Sequence, residues 1–189
     1  NVRVIKAEDC LFKITEERDY FDYVYDAQKL KTFSGKKYHK KKNHLNAFLR
    51  EFEGRYETKR MNCQDREEIF EFLDRWHNMR DIEDEYKRDE HELRGIKRFL
   101  AEMEDVYEKT NLYMYGVYVD KKLEAFTMGT YLEDKKELFV HVEKANPFIR
   151  GLYVFINSSF IKECFEDALL VNREDDMGIS GLRQAKESL

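Results

Sequence analysis

Leu112-Tyr113-Met114-Tyr115-Gly116-Val117-Tyr118-Val119, Leu123-Glu124-Ala125-Phe126-Thr127-Met128-Gly129-Thr130-Tyr131 and Glu137-Leu138-Phe139-Val140-His141-Val142-Glu143-Lys144 are consecutive runs rich in aromatic and branched residues. Asp120-Lys121-Lys122 and Asp134-Lys135-Lys136 separate them, and both are polar turn sequences. Strand formers alternating with short turns predict an antiparallel meander.

Before the meander, helical spacing dominates. Leu45, Phe48, Leu49 and Phe52 share one face of a helix predicted over 36–52, which Ser34 is placed to cap. Ile69, Phe72, Leu73 and Trp76 do the same over 64–79, as do Leu93, Ile96, Leu100, Met103 and Tyr107 over 84–109. Gly95 interrupts the last of these and predicts a close helix–sheet approach. Further strands are read at 2–5, 11–14 and 56–61, and a short helix at 22–31. After the meander come a helix over 147–165 opening on Pro147, a buried strand over 168–172, and a helix over 180–187 capped by Ser180. The order describes an α+β domain, a largely antiparallel sheet flanked by helices.

The bulk composition fits one compact unit. The chain has 189 residues, 42% of them hydrophobic and 14% aromatic, with a single proline. Its net charge of −5 argues against a general nucleic-acid coat, yet Lys31 to Arg50 contains no acid. Cys10, Cys63 and Cys164 form no paired motif, which fits a reducing, cytoplasmic setting. No apolar run is long enough to span a membrane.

Two segments exceed what packing requires. Gly35-Lys36-Lys37-Tyr38-His39-Lys40-Lys41-Lys42-Asn43-His44 gathers cations at a helix N-terminus, where free N–H groups already favour anions. Lys36, Lys37, Lys40 and Lys41 are candidate phosphate ligands, with Asn43 and His44 adding hydrogen bonds; a solvated lysine face is the bland alternative. Asn172-Arg173-Glu174-Asp175-Asp176 follows a strand end, a common position for functional groups. It is read either as a polar pocket or as a salt-bridged turn followed by a capped helix start. A third candidate is the end of the strand, where alternation predicts His141 and Glu143 on one face as base and partner, with a structural pair as the alternative. No Walker loop, GxGxxG, HExxH or GxSxG is present, and no calcium-loop spacing, so no metal is expected.

The run 35–48, with Ala125-Phe126-Thr127-Met128-Gly129, His141-Val142-Glu143-Lys144-Ala145 and Asn172 through Lys186, resembles the phosphatidylglycerol lysyltransferase C-terminal-like family, in its soluble bacterial branch. The resemblance implies an acyl-CoA N-acyltransferase (GNAT)-like fold, usually two in tandem. Residues 1–30 would then be the tail of a preceding GNAT-like half, and 31–189 a C-terminal domain lacking its last strand.

It also implies transfer of an aminoacyl group from aminoacyl-tRNA to an amine or hydroxyl, on a small-molecule or peptide acceptor, with no cofactor. In that reading Glu143 or Asp175 accepts a proton and His141 orients. Backbone N–H groups near Lys144 or Gly151 stabilise the oxyanion. Arg173 and the lysines hold phosphate or carboxylate, and Asn172, Glu174, Asp176 and Arg183 line the acceptor pocket. The place of a glycine-rich pyrophosphate loop reads Asn146-Pro147-Phe148-Ile149-Arg150-Gly151, which keeps only Gly151. A CoA-dependent N-acetyltransferase and a non-catalytic RNA or polyanion-binding module are the alternatives.

Overall fold

A computed structural model describes residues 15–79, 83–103, 107 and 110–189, with only the backbone of 83–89. The expected strands at 2–5 and 11–14 lie outside the described residues.

The meander forms as its composition requires. β3 (Leu112–Val119), β4 (Lys122–Leu132) and β5 (Glu137–Ala145) pair antiparallel in sequence order. Asp120 and Lys121 both take positive φ, 49° and 66°, and close a two-residue hairpin between Val119 and Lys122. β2 (Tyr56–Met61) adds antiparallel to β3, and β6 (Leu170–Asn172) adds parallel to β5. β1 (Val24–Asp26) then pairs antiparallel with β6, giving the order β1-β6-β5-β4-β3-β2. The segment expected to be purely helical over 22–31 therefore begins as a strand. Asp26 ends that strand and caps α1 (Ala27–Thr32), accepting hydrogen bonds from the Gln28 and Lys29 N–H groups.

Apolar faces on both sides of the sheet are covered. α1, α2 (His39–Glu51) and α5 (Leu152–Cys164) bury Leu30, Leu45, Phe48, Ile156 and Phe160 against one face. α3 (Arg66–Asn78) and α4 (Glu83–Glu102) bury Ile69, Phe72, Trp76, Leu93 and Ile96 against the other. α6 (Ser180–Glu187) closes the described order. The mixed α+β class with a largely antiparallel, helix-flanked sheet is as expected.

Three local expectations fail. Ser34 caps nothing: a 3-10 turn over Lys36–Tyr38 follows Gly35 and leads into α2. Ser180 is the first residue of α6, with Ile179 before it and no side-chain cap. Gly95 is exposed, and no atom lies within 4 Å of where its Cβ would sit, so no close approach explains it.

Candidate functional site

The parallel pairing of β5 with β6 covers only Glu137–Phe139, although β5 runs on to Ala145. Past that point side chains, not backbone, join the two segments. Arg173 Nη2 donates to Glu143 Oε1 at 2.8 Å, and His141 Nδ1 lies 2.7 Å from Glu174 Oε1. The open end of a parallel strand pair is where α/β sheets place ligand-binding groups.

A β-bulge separates the residues expected to act together. The β4–β5 register shifts between Met128 and Gly129, leaving His141 without a cross-strand partner. Val140 consequently packs in the core beneath α5 and Val142 in the core beneath α3. Alternation is broken at this point. Glu143 turns to Asn157 of α5, whereas His141 bonds Thr130 and Glu174.

Glu143 is the centre of a buried polar group. Its side chain is 8% exposed and accepts from Arg173 and, at 3.2 Å, from Asn157 Nδ2. Asn157 Oδ1 and Arg173 Nε are buried and have no hydrogen-bond partner among the described residues. Each such atom costs about 1–3 kcal/mol while it stays unpaired. Lys41 is half-buried in the same electrostatic environment: burial chiefly, then Arg173, lower its pKa, while Glu143 opposes them. Tyr25, whose acidity burial suppresses, also feels Arg173 and Glu143, and its hydroxyl donates to the Lys186 carbonyl at 2.8 Å. Of the basic helix start, Lys41 thus feels the charges of Arg173 and Glu143.

The other lysines do not join this group. Lys36, Lys37 and Lys40 are exposed, and Asn43 shares an exposed contact with His39 at 3.4 Å. His44 is partly buried, and burial first, then Arg150, Lys40 and Lys41, lower its pKa, so it is neutral near pH 7. Lys144 pairs with Glu92 at 2.8 Å and sits 4.3 Å over the Trp76 ring, by the α3–α4 core. Gly151 has φ 85°, and a Cβ there would lie 2.1 Å from the His44 carbonyl oxygen. Its close approach serves the α2 backbone.

Most of the 172–176 run builds the loop that carries Arg173 and Glu174. Asn172 donates to Asp22 and accepts from the Glu174 N–H, both at 2.8 Å. Lys186 Nζ donates to the carbonyls of Arg173, Glu174 and Asp175. Asp175 Oδ1 accepts from the Met177 N–H at 2.9 Å. Asp176 is fully buried; Arg183 grips both its oxygens, Tyr23 and the Gly178 N–H donate to it, and Arg18 lies 3.5 Å away. These hydrogen bonds, Arg183 foremost, hold its carboxyl far below the usual carboxylate range despite burial. Asp176 is therefore committed to Arg183, and Arg183 to Asp176 and Asp19.

Asn157, Thr130 and Tyr25 are site residues that sequence reasoning missed. The buried polar run Asn157-Ser158-Ser159 inside an otherwise apolar helix was the available signal. No cluster of three or more metal-ligating side chains occurs among the described residues, and no described helix is long and apolar enough to cross a membrane. A shallow hollow of about 680 Å³, lined by Asn46, Leu49, Arg50, Glu53, Gly54 and Tyr56, contains none of these groups.

Residues 4–188 match the family described as "Phosphatidylglycerol lysyltransferase, C-terminal". A conserved protein of unknown function from Bacteroides thetaiotaomicron is 34% identical, with a TM-score of 0.77 over 92% of this chain and 56% of that one. L-PGS from Bacillus licheniformis, at 15% identity and TM-score 0.55 over 88% of this chain and 55% of that one, shares the fold. An uncharacterized protein of Mycoplasmoides gallisepticum is 25% identical over 167 residues, 88% of this chain and 51% of that protein. The chain thus spans about half the length of the relatives it matches.

Proposed function

The chain belongs to the phosphatidylglycerol lysyltransferase C-terminal family, and from that premise we propose that it transfers an aminoacyl group from aminoacyl-tRNA to an amine or hydroxyl acceptor. The observation that carries this reading is the pair of unpartnered atoms, Asn157 Oδ1 and Arg173 Nε, beside the buried Glu143 carboxylate. One atom accepts and the other donates. An aminoacyl ester offers the complement: an ammonium group for Asn157 Oδ1 and a carbonyl oxygen for Arg173 Nε.

The acceptor nucleophile attacks the ester carbonyl carbon. Arg173 stabilises the negative charge that develops on oxygen. Glu143 takes the proton of the nucleophile and returns it to the departing ribose hydroxyl. Asp175 suits that task less well, because its Oδ1 already holds the Met177 N–H. Lys41 anchors the phosphate nearest the ester, and the exposed Lys36, Lys37 and Lys40 extend the cationic surface along the tRNA.

The test is transfer of labelled amino acid from mixed charged tRNA to lipid, peptide and small-amine acceptors. Glu143→Gln is expected to lower the rate by about 10²–10⁴-fold, as for loss of a general base, with tRNA affinity retained. No transfer to any acceptor, together with no tRNA binding at low salt, overturns the reading.

A further inference from the structure

A hydroxyl, an imidazole and a carboxylate stand in line beside the β5–β6 opening, apart from the Glu143 group. Thr130 Oγ1 lies 2.8 Å from His141 Nε2, and His141 Nδ1 lies 2.7 Å from Glu174 Oε1. The three come from separate parts of the chain: β4, the bulged position of β5, and the loop after β6. None is fully buried, and the His141 side chain is 33% exposed, so core packing does not dictate the arrangement.

The backbone on both sides is shaped for it. The bulge supplies His141 as an extra residue and turns it towards Thr130. Glu174 is a non-glycine residue at φ 56°, held there by the Asn172 side chain on its N–H and by Lys186 on its carbonyl. Removing either local distortion would move the carboxylate or the imidazole off this line. With Nδ1–H donating to Glu174, Nε2 is the free acceptor for the Thr130 O–H. That is the protonation pattern of a nucleophile, its base and the acid that orients the base.

We propose that Thr130, His141 and Glu174 form a nucleophilic relay that accepts an acyl group from an activated ester. Thr130 Oγ1 attacks the ester carbonyl carbon while His141 Nε2 takes its proton. The bond from that carbon to the leaving oxygen breaks, and the leaving alcohol departs with the proton from Nε2. The product is an acyl ester on Thr130. Water or an amine then attacks that ester by the same proton traffic reversed and restores the hydroxyl. Glu174 acts through His141 and is a positioning residue. The proposal requires neither tRNA nor the roles assigned to Glu143 and Arg173, so its test reads independently of the transfer assay.

The experiment treats the protein with p-nitrophenyl acetate and follows p-nitrophenolate release and intact mass. A burst of one equivalent is expected, with one acetyl group mapping to Thr130 by peptide mass spectrometry. Thr130→Val is expected to abolish burst and adduct, and Thr130→Ser to restore both. His141→Ala is expected to slow the burst by roughly 10²–10³-fold. Glu174→Gln is expected to slow it less and shift its pH profile. Near-ultraviolet circular dichroism of each variant reports whether it is folded, and an unfolded Thr130→Val is replaced by Thr130→Ala. Absence of a burst, an adduct on lysine or tyrosine, or an undiminished burst in a folded Thr130→Val overturns the proposal.

Discussion

Arg173 Nη2 stands 2.8 Å from Glu143 Oε1, joining loop to strand beyond the point where their backbone pairing ends. Their side chains are 16% and 8% exposed, so the pair lies in a medium that screens it poorly. Arg173→Met would leave the Glu143 carboxylate buried without its cation. A loss of about 3–5 kcal/mol is expected in urea unfolding. The double variant with Glu143→Gln should recover a large part of that loss, and strict additivity would show that the pair is not coupled.

Gly151 is expected to tolerate no side chain. Gly151→Ala combines a positive φ of 85° with a Cβ 2.1 Å from the His44 carbonyl oxygen, and backbone cannot swing aside as a flexible side chain does. Destabilisation beyond ~1 kcal/mol is expected from the conformational term alone, with more from the clash. Denaturant midpoints measure it, and an unchanged midpoint would mean that α2 is loosely seated.

Gly95→Ala is expected to act in the opposite direction. Gly95 is exposed within α4, and no neighbouring atom meets the added methyl. Helix propensity then favours alanine by ~0.5–1 kcal/mol, read as a higher unfolding midpoint with activity unchanged.

Asp176 predicts an acid-sensitive element of stability. Arg183, Tyr23 and the Gly178 N–H hold its folded-state pKa well below that of the unfolded chain. The stabilisation is therefore complete above the unfolded carboxylate pKa of about 3.9 and is lost as pH falls below it. Asp176→Asn should lower the melting temperature at pH 7 and reduce the difference from wild type as pH drops towards 3. A difference that does not shrink with acid would show that the carboxylate charge is not what the loop uses.

The sheet was legible because its signals are local. Alternation and turn chemistry placed β3, β4 and β5 within one residue of their observed limits. The apolar stripes of α3 and α4 likewise chose the helix faces that became buried. β1 was not legible, since Val24–Asp26 is a strand only because β6 lies beside it. The start of α5 at Leu152, and not at Pro147, follows from the turn in which Asn146 Oδ1 accepts the Phe148 N–H. At the site, the charge patterns drew attention to Lys41, Glu143 and Arg173, and the fold pairs the last two. They could not show the bulge at His141, which exchanges its expected partner Glu143 for Glu174. Asp176 and Arg183 look identical in sequence to ligand-binding groups, and only their mutual geometry reveals a structural clasp.

The pairing of residues 18–26 with 170–187 carries a consequence for biosynthesis. Tyr25 reaches Lys186, Asp19 reaches Arg183, and β1 finds its strand partner in β6. Contacts of such long range contribute no stability until the later segment has left the ribosome. β1 is thus without its strand partner until β6 has been made, and a chaperone that shields the early segment should raise the yield of folded protein.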